Sequence, residues 1–250
     1  DEDYQTQLHN AQIQWLQFDS CRQKRLWANW VLDPTLVSEQ CDYQSARKHA
    51  DTVFLLGPRY ALLRQEFSRR QSKIECRLLV KKILLTFGGG DDGGVTVFAL
   101  EALRPIDPRI ERVVLVSSAN PRLVDIQNWI QTNSTIATTL RVDEKEIARR
   151  MSEADIAITA GGMTTFETAA RGLPTLIVQI ADNQRRNAMG WQKKGVAADL
   201  GPIEGLDHRT INRQTADLIG DYGLRRQMSN LGKNLVDGLG TRRVARILYS

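Results

Sequence analysis

From Lys81 onward, short apolar runs alternate with amphipathic stretches. The apolar runs are KKILLTF (81–87), RVVLVSS (112–118), TIATTLRV (135–142), DIAITA (155–160), PTLIVQI (174–180) and VAADLG (196–201). Apart from TIATTLRV, a weaker strand pattern, they are continuously apolar and do not alternate, as expected of strands covered on both faces. Between them lie helix patterns: VTVFALEAL (95–103), PRLVDIQNWIQT (121–132), DEKEIARRMSEA (143–154), TTFETAARG (164–172) and NQRRNAMGWQKKG (183–195). Pro121 suits a first helical turn. Asp143 with Glu146 reads as a capping box. Gly172 and Gly195 stand where helices close. Residues from Asp207 on read as two or three further helices. Strand and helix in regular alternation predict an α/β fold with a doubly wound parallel sheet and right-handed crossovers.

The first 75 residues differ. Possible strands at IQWLQF (13–18) and ANWVLD (28–33) are followed by a polar stretch and then FLLGPRYALL (54–63). This is the expected remnant of an N-terminal α/β domain plus a connector, residues 1–75. An exposed crossing is expected at SRRQSK (68–73), leading to a ligand-binding domain over 76–250. There is no internal repeat and no low-complexity segment.

In such a sheet, ligands bind beyond the carboxyl ends of the strands. Two glycine-rich turns fall at those ends. The first is GGGDDGG, with Gly88, Gly89, Gly90 and Asp91. It is neither a dinucleotide fingerprint nor a phosphate-binding loop of the Gly-Lys-Ser/Thr type. It fits a phosphate approached by backbone N–H groups, or a plain strand-to-helix turn. The second is AGGMTTFETAARG, where Gly161 and Gly162 end a strand and Thr164 or Thr165 can cap the next helix. Glu167 lies a turn inside it, placed to accept hydroxyl protons or simply to complement the helix dipole. A further polar trio, Asp182, Asn183 and Gln184, ends the strand that follows. It offers donors and acceptors to a hydroxyl- or amide-rich ligand, or an N-cap for the next helix.

Composition narrows the chemistry. The chain has 250 residues, 42% hydrophobic and 25% charged, with a net charge of +5. Its basic residues are scattered in pairs with no basic–aromatic motif, so no nucleic-acid partner is expected. The three cysteines, Cys21, Cys41 and Cys76, form no CxxC pair, and His9, His49 and His208 stand isolated. Neither a metal site nor a disulfide framework is expected, and free thiols fit a cytoplasmic location. No run is long enough to span a bilayer, and the opening DEDYQTQLHN is no signal peptide.

Taken together, ADIAITAGGMTTFETAARGLPTLIVQIADNQ followed by NAMGWQKKG resembles the nucleotide-binding C-terminal half of GT-B fold enzymes. The broad relative is the N-acetylglucosaminyltransferase of peptidoglycan synthesis. The closer one is the UDP-2,4-diacetamido-trideoxy-sugar hydrolase of pseudaminic acid biosynthesis. LLGPRYALLRQEF (55–67), LTFGGGDDGG (85–94) and LVSSANPRLVDIQ (115–127) follow that family's order. The resemblance implies a Rossmann-like domain that binds UDP or a UDP-sugar without a cofactor or metal. Water would displace UDP from the sugar, feeding flagellin or other surface glycosylation. It implies that Glu167 holds the ribose. Gly88–Gly90 and Gly161–Gly162, with Thr164 and Thr165, would hold the diphosphate, and Asn183 and Gln184 would face the sugar. The family's base is a histidine in a G-x-G-H loop of a first domain, and the chain has no such loop. The catalytic residue is therefore unassigned, and an association with a missing N-terminal domain is expected. Two alternatives stand beside the hydrolase: a GT-B glycosyltransferase, and a non-catalytic nucleotide-sugar binding module.

Overall fold

The computed structural model describes residues 2–19, 26–36, 38, 43, 47–48, 51–68 and 76–249. Most of the expected crossing at 68–73 lies outside the described residues, as do Cys21, Cys41 and His49.

After helix α1 (Glu2–Asn10), three short strands form a parallel sheet in the order β1-β2-β3: β1 (Leu16–Phe18), β2 (Trp30–Asp33) and β3 (Val53–Leu56). Two single 3-10 turns, Pro58–Tyr60 and Gln65–Phe67, make up the connector that follows.

The second sheet is built from β4 (Lys82–Thr86), β5 (Glu111–Val116), β6 (Thr138–Val142), β7 (Ile156–Ala160), β8 (Thr175–Gln179) and β9 (Ala197–Pro202). Its order is β6-β5-β4-β7-β8-β9, every pair parallel. The strand order reverses between β4 and β7, so this is a doubly wound sheet with its switch point there. The crossovers use α2 (Val95–Ala102), α3 (Leu123–Thr132), α4 (Ile147–Glu153), α5 (Thr164–Arg171) and α6 (Arg185–Lys193). Then come α7 (His208–Gly220), α8 (Tyr222–Leu235) and α9 (Gly240–Leu248).

Strand side chains alternate between two cores. Ile83, Leu85, Ile156, Ile158, Leu176 and Val178 pack with α2, α3 and α7. Leu84, Ala157 and Ile177 pack with α4, α5 and α6, against Met151, Phe166 and Trp191. Because both faces are covered, the strand sequences carry no polar alternation.

α9 leaves the large sheet and returns to the small one. Val244, Ile247 and Leu248 pack on Leu32 and Leu55. The connector is fixed to the same region, since Thr241 donates to Leu63 O at 2.9 Å and Arg243 to Arg59 O at 2.9 Å. Two buried arginines gather carbonyls at the ends of α2 and α7 and in the neighbouring turns. Arg112 donates to the carbonyls of Leu103, Ile106, Asp107 and Ile110, and Arg225 to those of Arg77, Leu78, Leu218 and Ile219. Leaving such carbonyls unpaired inside the protein costs about 1–3 kcal/mol each.

Two expected helix starts are built differently. α4 begins at Ile147, not at Asp143, whose backbone takes a left-handed φ of 53°. The capping box is replaced by Glu66 of the connector, whose Oε2 accepts the N–H of Ala148 at 3.1 Å. Pro121 precedes α3 by two residues, and Asn120 opens the turn by accepting the N–H of Arg122 at 2.8 Å. Among the described residues no helix is long and apolar enough to cross a membrane.

Candidate functional site

The carboxyl ends of β4, β5, β7 and β8 converge where the switch point opens, and two cavities lie there, one on each side of the start of α5. The first, about 310 Å³, is lined by Thr86, Gly88 and Gly89 beyond β4 and by Val116 and Ser117 beyond β5. Asp143, Glu144, Ile147 and Met151 form its far wall, and Thr164, Glu167 and the connector's Arg64 close it. The second, about 170 Å³, is lined by Gly161, Gly162, Met163 and Phe166, by Asn183, Gln184 and Asn187, and by Phe18, Pro34 and Thr35 of the small sheet. It therefore lies between the two sheets.

The local sequence explains this division. β7 ends at Ala160, and Gly161 turns the chain into α5 beneath Gln184. A Cβ on Gly161 would stand 3.0 Å from Gln184 Cβ and 3.3 Å from its carbonyl oxygen. Only glycine lets these two segments meet so closely. Gln184 Oε1 accepts the N–H groups of Gly161 at 3.0 Å and of Ile180 at 3.1 Å, which ties the ends of β7 and β8 together. Its amide nitrogen remains available to a ligand. Thr159 Oγ1 donates to Thr86 O at 2.7 Å, joining β7 to β4 at the switch point.

Thr164 and Thr165 diverge. Thr164 starts α5 and lines the first cavity. Thr165 is only 2% exposed; its hydroxyl donates to Gly162 O at 2.7 Å and accepts from Asn187 Nδ2 at 3.1 Å. It braces the turn and lines neither cavity. The expected threonine cap is absent, because that hydroxyl turns back to the carbonyl of Gly162. The expected cap of α6 by Asp182 or Asn183 is also absent. Those residues form a 3-10 turn, Asp182–Gln184, ahead of the helix. Asn183 is exposed and lines the second cavity.

In the first turn, Gly88 and Gly89 line the first cavity, while Gly90 and Asp91 lie outside both. Asp91 accepts the N–H of Gly93 at 2.9 Å and pairs with Arg122 at 3.3 Å. Its buried neighbour Asp92 organises the loop. Asp92 accepts the N–H groups of Gly94 at 3.0 Å and Thr96 at 3.1 Å, along with the Thr96 hydroxyl. Asp92→Ala should therefore lower stability by about 1–2 kcal/mol, as loss of a helix cap does. A urea midpoint equal to that of the unsubstituted protein would refute the cap.

Electrostatically, the first cavity centres on Glu167. Its Oε1 accepts two bonds from Arg64, from Nη2 at 2.9 Å and Nε at 3.3 Å. Burial pushes the Glu167 carboxyl above the usual carboxylate range, and Arg64 pulls it back. At the opposite wall Glu144 is held below that range by its bond to Arg150, 2.7 Å away. Asp143 is held low chiefly by the backbone N–H of Ser118, at 2.9 Å. The floor between them is apolar: Leu115, Val116, Ile147 and Met151. The cavity thus offers a carboxylate beside an apolar floor. No group of three or more His, Cys, Asp or Glu side chains is set to hold a metal ion among the described residues.

Arg64, Glu66, Asn187 and Ser117 were not singled out as site residues by their sequence context, and Asp143 was read only as a helix cap. LLGPRYALLRQEF marked the connector as distinctive, and Arg64 lies within it, but nothing in that stretch aims Arg64 at Glu167, 103 residues away.

The small parallel sheet, the doubly wound sheet and the returning last helix define the GT-B fold. The solved structures agree. MurG of Acinetobacter baumannii superposes with a TM-score of 0.67 at 15% identity, over 98% of this chain and 69% of that one. A co-structure of S. aureus MnaA with UDP gives 0.66 at 14% identity, over 98% and 71%. In sequence, the chain is similar to SpsG of Bacillus subtilis, a spore coat polysaccharide biosynthesis protein. The identity is 28% over 194 residues, which is 77% of this chain. The chain spans 57% of SpsG's own length. No protein-family model matches it.

Proposed function

We infer that this chain is the nucleotide-sugar-binding part of a GT-B enzyme of polysaccharide biosynthesis, acting on a UDP-linked sugar. One observation carries the reading. The start of α5 separates two cavities, with Glu167 facing the first and Gly161, Gly162, Asn183 and Gln184 facing the second. A nucleoside diphosphate-sugar has the matching order of parts. The ribose diol donates to Glu167, and the base lies on the floor of Val116, Ile147 and Met151. The diphosphate crosses the start of α5, and the sugar projects among Asn183, Gln184 and Asn187. The likeness to SpsG and to a UDP-bound structure supports the same assignment.

The chemistry follows from charge. Cleavage of the anomeric C–O bond leaves both bonding electrons on the UDP oxygen. The N–H groups and macrodipole of α5 stabilise that developing charge more than they stabilise the ground state. The nucleophile needs a base, and among the described residues neither cavity is lined by a histidine. His9 packs on Trp27 at 4.7 Å between ring centroids, and His208 on Phe98 at 4.2 Å. We therefore assign the base to none of the described residues.

Transfer to an acceptor hydroxyl is the leading reading, since glycosyltransferases of this fold are among the structural neighbours. Hydrolysis is the second, favoured by the order of LLGPRYALLRQEF and LVSSANPRLVDIQ. Calorimetry tests the binding. UDP should bind at least tenfold more tightly than ADP or GDP, and equal affinities would sink the reading. With the whole protein, UDP release from a UDP-N-acylated sugar separates the two reactions. Release without an acceptor means hydrolysis, and release only with one means transfer.

A further inference from the structure

The connector between the two sheets reaches into the first cavity and joins its walls. Glu66 Oε2 accepts the N–H of Ala148 at the start of α4. Glu66 Oε1 lies 3.1 Å from Arg64 Nη1, and Arg64 Nη2 lies 2.9 Å from Glu167 Oε1 on α5. The Arg64 guanidinium also rests against the Phe67 ring, 5.3 Å from its centroid, with Arg171 at 5.2 Å from the same ring. Arg64 is thus held by both carboxylates and an aromatic ring while its side chain remains 47% exposed. Both of its bonds to Glu167 fall on one oxygen, and among the described residues no hydrogen bond falls on Oε2.

We propose that Arg64 is a positioning residue for nucleoside binding: it holds Glu167 ionised, with Oε2 presented to the ribose diol. This rests on the reading of Glu167 as the ribose acceptor. A largely buried carboxylate tends to take up a proton, and a protonated Glu167 would lose acceptor strength. The adjacent guanidinium opposes that protonation, and two bonds to one oxygen fix the direction of the other. The other charged groups facing Glu167 are Glu66 on the connector, Arg171 along α5, and Asp143 and Glu144 across the cavity. Of these, Glu66 and burial favour protonation of Glu167, and Arg64 is the near counter-charge that opposes it. The connector thereby couples the small sheet to nucleoside affinity.

The experiment compares the unsubstituted chain with Arg64→Met, Arg64→Lys and Glu167→Gln, using uridine and UDP as separate probes between pH 5 and 8. Uridine has no group that titrates in this range, so its profile reports the protein. In Arg64→Met both probes should weaken by the same factor, about tenfold, the scale of a charge-assisted bond. The pH below which uridine affinity falls should move upward, because Glu167 then gains its proton earlier. Arg64→Lys keeps the charge and should restore most of the original profile; it also serves if the methionine variant is poorly folded. Loss of UDP affinity alone, with uridine unchanged, would assign Arg64 to the phosphates and overturn the proposal. Unchanged uridine affinity and pH profile would overturn it too, provided that Glu167→Gln weakens uridine. If Glu167→Gln leaves uridine unaffected, the ribose reading itself fails and the proposal with it.

Discussion

Glu167→Gln is expected to weaken UDP binding by about ten- to a hundredfold. Two ribose hydroxyls donating to an ionised carboxylate form charge-assisted bonds, about twice as strong as bonds to a neutral amide. The glutamine side chain keeps the size and loses the charge. It also turns an amide toward Arg64, which then keeps only Glu66 as a counter-ion. Calorimetric titration checks this directly, with a melting curve to show that the fold persists. Because glutamine keeps the size of Glu167 and α5 packs into the core through its neighbours Phe166 and Ala169, the fold should tolerate the change. A UDP affinity within twofold of the original would remove Glu167 from the site.

The largest expected loss of stability comes from a glycine far from any ligand. Gly238 lies between α8 and α9 at φ +73°, and a Cβ there would stand 2.2 Å from Phe67 O. The backbone oxygen cannot swing aside as a flexible side chain would, and the dihedral disfavours every L side chain. Gly238→Ala should cost about 3 kcal/mol or more, combining left-handed strain with overpacking. It should also loosen α9 from the connector that carries Arg64. Urea unfolding measures the loss. Gly220→Ala is the control, since no heavy atom lies within 4 Å of a Cβ there. Equal midpoints for the two variants would show that the clasp is not tight.

Much of this architecture was legible in the sequence, for a physical reason. Runs such as KILLT and IAITA are apolar at every position because two cores claim alternate side chains. Neighbouring helices therefore had to lie on both faces, and the glycine turns had to fall at the strand ends. The position of Glu167 was equally local, one turn inside a helix after two glycines. What the sequence hid is long-range. Glu66 caps a helix 82 residues away, and Arg225 reaches carbonyls 147 and 148 residues away. No spacing rule joins such partners. The apparent capping box at Asp143 and Glu146 misled because the connector supplies that carboxylate. Thr165 read as a ligand residue because its neighbours do face a cavity, but in a helix adjacent positions point about 100° apart. Gln184 read as a sugar contact from its donors and acceptors, and half of that capacity holds β7 to β8.

The central claim is that UDP lies across the start of α5. A crystal structure of the chain with UDP tests it most directly. The account predicts the ribose hydroxyls on Glu167 Oε2, with Arg64 still on Oε1. It places the diphosphate at Gly88–Gly89 and Gly161–Thr164, and the base over Val116 and Ile147. The contradicting result is UDP in the larger groove between α2 and α7, about 480 Å³, beside Glu101, Arg209 and Arg213, with both cavities at α5 unaltered.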